Sequence, residues 1–92
     1  MKITVRVFGD LKSVLGKRLT CQIEGEATVR SLANQISRKA GLKPSSFIGR
    51  YRREGGDLAI LLNGRNIRLL EGMDTSLKDG DEVVFLPPAP GG

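Results

Sequence analysis

The chain has no histidine and no tryptophan, and only one cysteine and one tyrosine, in 92 residues. Without histidine it lacks the commonest general base and the commonest metal ligand. A single cysteine excludes an intrachain disulfide framework and any four-cysteine zinc or iron–sulfur site. No apolar run approaches the roughly 20 residues of a membrane span. The opening Met1-Lys2-Ile3-Thr4-Val5-Arg6 alternates like a strand and carries no signal-peptide pattern. A chain of 92 residues is also too short for two ordinary cores. These absences argue against most enzyme classes. They leave a single cytoplasmic domain that binds, carries or modifies something, with the free Cys21 in keeping with a reducing compartment.

What is present is basic. Fifteen Lys and Arg against ten Asp and Glu give a net charge of +5. Acidic partners follow: an acidic protein surface, a nucleic acid or an anionic membrane. Charged residues at 27% and apolar ones at 39% are an ordinary globular balance.

Ile3, Val5 and Val7 alternate with Thr4, Arg6 and Phe8, predicting a half-buried strand closed by Gly9-Asp10. Leu11, Val14 and Leu15 are spaced for one or two helical turns before Gly16. Leu19, Cys21 and Ile23 alternate as a second strand, ended by Glu24-Gly25-Glu26. Thr28 is placed to cap a helix whose apolar face is Val29, Leu32, Ala33, Ile36 and Ala40; Arg30, Gln35, Arg38 and Lys39 point away, and Gly41 stops it. Lys43 to Asp57 has no clean period and reads as a long loop with a basic cluster, Arg50, Arg52 and Arg53. Leu58–Leu62 resumes as a strand, Asn63-Gly64 is a hairpin signal, and Arg65–Leu69 is the expected return strand. Gly72-Met73 and Lys78–Asp81 are turns with Leu77 packed between them. Val83–Leu86 is the last strand, and Pro87-Pro88-Ala89-Pro90 favours extended polyproline geometry before Gly91-Gly92.

Strands on either side of one helix imply an α+β domain. This order, with Asn63-Gly64-Arg65 after the third strand, resembles a β-grasp, ubiquitin-like fold. The implied architecture is a mixed sheet of four to five strands with one main helix on one face, over residues 1–86, and a flexible tail over 87–92. The run from Leu77 through Asp79-Gly80-Asp81 and Val83–Leu86 to Pro87-Pro88, followed by Gly91-Gly92, narrows the likeness. It resembles the MoaD/ThiS sulfur carriers, especially the small subunit of molybdopterin synthase and its archaeal relatives. A terminal Gly-Gly alone arises by chance about once in 200 chains; the whole constellation is far more specific.

The resemblance implies that the reactive group is the carboxylate of Gly92. An E1-like activating enzyme, using ATP and magnesium, adenylates it, and a sulfur donor converts it to a thiocarboxylate. The chain then needs no catalytic residue, bound cofactor or metal of its own. Gly91 and Gly92, without Cβ atoms, suit a narrow channel, and residues 87–92 can reach roughly 18 to 20 Å past the fold. Pro87 and Pro88 position the tail by limiting the entropy lost when it is held. Pro90 departs from the family pattern and removes one backbone donor from the tail. The implied partners are the activating enzyme and either the molybdopterin synthase large subunit or target proteins. Relatives that act as modifiers join the terminal glycine to target lysines, which keeps a second role open for Gly92.

Strand parity places Phe8, Leu61, Val84 and Leu86 on the sheet face away from the helix, an expected apolar partner-binding patch leading to the tail. Cys21 is expected as core filler. Arg50, Arg52 and Arg53 have only Tyr51 interleaved, so a solvated loop or an acidic protein partner is the better reading than nucleic acid. A basic nucleic-acid-binding β-grasp module remains the alternative from another class, and no membrane association is expected. Glu24, Glu26, Asp79, Asp81 and Glu82 are read as turn caps, since no oxygen-ligand spacing for a metal is found.

Overall fold

A computed structural model describes residues 1–8, 12, 16–41 and 58–86. The described residues form a five-stranded mixed sheet with one α-helix across one face. Strands β1 (Lys2–Val7), β2 (Arg18–Gln22), β3 (Ala59–Leu62), β4 (Arg65–Asn66) and β5 (Glu82–Leu86) lie in the order β2-β1-β5-β3-β4. Helix α1 spans Val29–Ala40. The arrangement is that of a β-grasp domain, with the first and last strands side by side and parallel at the centre.

Alternation sets the two faces. Ile3, Val5 and Val7 of β1 and Val83 and Phe85 of β5 are fully buried, as are Val29, Leu32 and Ala33 of α1. These side chains, with Ile60 and Leu62 of β3, form one core between sheet and helix. Cys21 belongs to this core, and burial raises its thiol pKa above the ordinary 9.0, the nearby Lys39 charge partly opposing that rise.

Helix α1 starts where its sequence says it should. The Thr28 hydroxyl accepts from Ser31 N at 3.3 Å, and the Ser31 hydroxyl accepts from Thr28 N at 2.9 Å, a reciprocal capping box. Gly41 ends it at φ 71°, a left-handed conformation that glycine adopts without penalty, and its N–H donates to the Arg38 carbonyl. Arg38 and Lys39 are exposed in the last turn, whereas Arg30 reaches Asp74 at 3.1 Å. Both partners of that pair are solvent-exposed, so its contribution to stability is small.

The hairpin at Asn63-Gly64 has positive φ at both residues, 50° and 87°, as a type I′ turn requires. Its return strand is shorter than expected. β4 ends at Asn66, and Ile67–Leu69 is a 3₁₀ turn in which the Asn66 side chain accepts from Arg68 N at 2.9 Å. That cap turns the backbone out of the ladder while Ile67 still enters the core. Gly72–Asp74 is a second 3₁₀ turn, and Leu77 is buried after it. The helical turn expected at Leu11, Val14 and Leu15 and the loop from Lys43 to Asp57 with its three arginines lie outside the described residues, although Lys12 is helical.

Candidate functional site

The start of β5 is held from both sides. The Asp81 carboxylate accepts from Lys78 N at 2.7 Å and from Asn63 Nδ2 at 3.0 Å. Asn63 exchanges two further bonds with Glu82: its side-chain oxygen accepts from Glu82 N, and its own N donates to the Glu82 carbonyl. Asp79 accepts from Lys2 N at 2.7 Å, joining the same turn to the beginning of β1. The carboxylates of Asp79 and Asp81 therefore serve as turn caps, as their sequence context suggests. From this clamp β5 runs between β1 and β3 and reaches Leu86 at the opposite end of the sheet. Gly91 and Gly92, with Pro87 and Pro88, follow Leu86 and lie outside the described residues.

Near this exit, the sheet face away from α1 carries the four apolar residues read as a partner surface. Leu61 stands directly opposite Val84, and Leu86 opposite Ala59. Phe8 lies just past β1, and its N–H donates to the Phe85 carbonyl at 3.2 Å. Leu86 is 39% exposed, Phe8 and Leu61 are half-buried, and Val84 is only 9% exposed. Parity thus places all four on one face, but Val84 is not the open contact expected from sequence. It sits on a central strand, between Arg6 on one side and Leu61 on the other.

The other half of this face is basic, which strand parity alone does not reveal. Arg6 is paired directly with Arg18 across β1 and β2. Arg6, Phe8, Lys17, Arg18 and Glu82 line an open cleft, with the Arg6 guanidinium 5.3 Å from the centre of the Phe8 ring. The register was the missing information, because the connection from β1 to β2 is no tight turn. Among the described residues no group of three His, Cys, Asp or Glu side chains is placed to hold a metal. No helix among them is long and apolar enough to cross a membrane.

Known proteins share this architecture. The sequence is 31% identical to small archaeal modifier protein 3 of Haloferax volcanii, over all of both chains. The solution structure of small archaeal modifier protein 1 from Methanosarcina acetivorans superposes with a TM-score of 0.73 at 32% identity, covering 99% of this chain and 96% of that one. A complex of subunits 1 and 2 of the molybdopterin-converting factor from Helicobacter pylori contains a chain 26% identical, covered completely in both directions, with a TM-score of 0.63. The ThiS family matches residues 5–92, the sheet, the helix and the diglycine included. This chain belongs to the ThiS family, and with it to the ubiquitin-like sulfur carriers and modifiers.

Proposed function

We propose that the chain is a non-catalytic sulfur carrier whose working group is the Gly92 carboxylate. The observation that carries this reading is the family match continuing through residue 92, after a strand held at the centre of the sheet. In the activation step a carboxylate oxygen of Gly92 attacks the α-phosphorus of ATP bound by an E1-like partner, and pyrophosphate leaves. The resulting acyl adenylate has a good leaving group, which the free carboxylate lacks. A sulfide-level nucleophile then attacks the carbonyl carbon, AMP departs and a thiocarboxylate remains. The partner supplies magnesium and phosphate contacts. This chain supplies a thin, stiffened tail, through Gly91, Gly92, Pro87 and Pro88, and a face to be gripped at Phe8, Leu61, Val84 and Leu86.

The acceptor we favour is the large subunit of a molybdopterin synthase, which would take the sulfur into a pterin precursor in the cytoplasm. Likeness to a chain solved with its molybdopterin-converting partner supports this choice. A second reading, supported by identity to a small archaeal modifier protein over the whole length, is attack on the activated Gly92 by a target lysine to give an isopeptide bond. Both readings share the adenylate. Intact-mass analysis after incubation with an activating enzyme, ATP, magnesium and a sulfur donor tests that step. One oxygen exchanged for sulfur at Gly92 is expected; an unchanged mass with an enzyme active on other carriers refutes it. Stoichiometric capture of a large synthase subunit then favours the carrier, and branched peptides joining Gly92 to lysine favour the modifier.

A further inference from the structure

The outer face of the sheet is divided. One row across it reads Arg18, Arg6, Val84, Leu61, Asn66, from β2 to β4. Its first two members are like charges directly opposite each other, an arrangement that weakens a sheet. Among the described residues the ion pair found is Arg30–Asp74, on the other side of the molecule, and neither Arg6 nor Arg18 has a carboxylate within salt-bridge distance. Lys17 adds a third cation beside them. All three stand at the end of the sheet where Phe8 and Leu86 lie, next to the start of the tail.

We propose that Arg6, Lys17 and Arg18 receive a carboxylate-bearing segment of the protein that holds the tail, its apolar side chains resting on Leu61 and Leu86. That the same protein holds the tail rests on the carrier reading; the charge of the surface does not. An anionic segment placed between Arg6 and Arg18 relieves their mutual repulsion, so binding removes a cost that the free protein carries. Protein is favoured over nucleic acid because the cations do not form a continuous track. They give way to Val84 and Leu61 along the row, and Glu82 lines the same cleft, where it would repel phosphates.

The test is a titration of the full 92-residue chain, followed by its backbone amide resonances, with a capped peptide of alternating Glu and Leu. A short duplex DNA is titrated in parallel. The peptide is expected to move the amides of Arg6, Phe8, Lys17 and Arg18 first. Replacing both arginines (Arg6→Gln with Arg18→Gln) should weaken it about tenfold, and salt near 1 M, where screening acts within about 3 Å, should remove most of the rest. Arg18→Gln alone should leave the thermal midpoint unchanged or raise it at low salt, which a structural role for this arginine would not allow. Shifts centred elsewhere, equal affinity in the double variant, or a lowered midpoint overturn the proposal. So does tighter binding of the duplex at the same amides, which would make nucleic acid the occupant. Failure of Gly92 to be activated leaves this titration standing, so the two readings fall separately.

Discussion

Three consecutive residues of β5 give a graded test of how the tail is anchored. Phe85 is fully buried and is flanked in the ladder by Val7 and Ile60, so Phe85→Ala empties the largest buried site in the core. A cost of about 3–5 kcal/mol is expected, against a total stability of about 5–14 kcal/mol for a domain this size. Val84 points to the other face and is 9% exposed; Val84→Ala removes two shielded carbons and should cost about 1.5 kcal/mol. Leu86, 39% exposed, should lose no more than about 0.5 kcal/mol on replacement by Ala. Urea unfolding reads all three, with midpoints falling in the order Phe85, Val84, Leu86 and an unchanged slope. A Leu86→Ala cost as large as that of Phe85→Ala would refute the reasoning. It would mean that a second layer of this chain packs on the outer face, leaving no room for a partner there.

Thr28→Ala removes half of the reciprocal cap with Ser31 and should cost about 1 kcal/mol, lowering the thermal midpoint by about 4–8 °C in calorimetry. Deleting Gly91 and Gly92 should leave that midpoint in place while abolishing thiocarboxylate formation by mass spectrometry; retained activation would end the tail-based reading. Cys21 has its pKa raised in the folded state by burial, so folding favours the protonated thiol. Its contribution is complete below the unfolded thiol's pKa of about 8.5 and is lost as pH rises through the folded value. Chemical denaturation between about pH 8 and pH 10 should therefore show a decline in stability that is smaller in Cys21→Ala.

Alternation carried most of the architecture into view before any coordinates. The inward set of β1, β3 and β5 follows from residues spaced by two, and the buried face of α1 from residues spaced by three and four. Two features were hidden because side chains decide them. Ile67 and Leu69 keep a strand-like spacing, yet Asn66 caps the amide of Arg68 and a 3₁₀ turn results, leaving Leu69 82% exposed. Ser31 completes the cap begun by Thr28, although serine inside a first turn carries little signal of its own. The outer face was only half legible. Parity marks Phe8, Leu61, Val84 and Leu86 as facing away from the helix, but Arg6 meets Arg18 only because of a pairing register that no tight turn imposes.

The parallel pairing of β1 with β5 also bears on how the molecule is made. Val5 lies beside Val83, so the middle of the sheet stays open until nearly the whole polypeptide has left the ribosome. Contacts of such large sequence separation close slowly, and synthesis proceeds from the other end. A translation product stopped before residue 82 lacks the strand on which both halves of the sheet zip together. The fold thereby inspects its own completeness: only a chain translated through its last strand can become the platform that presents a tail.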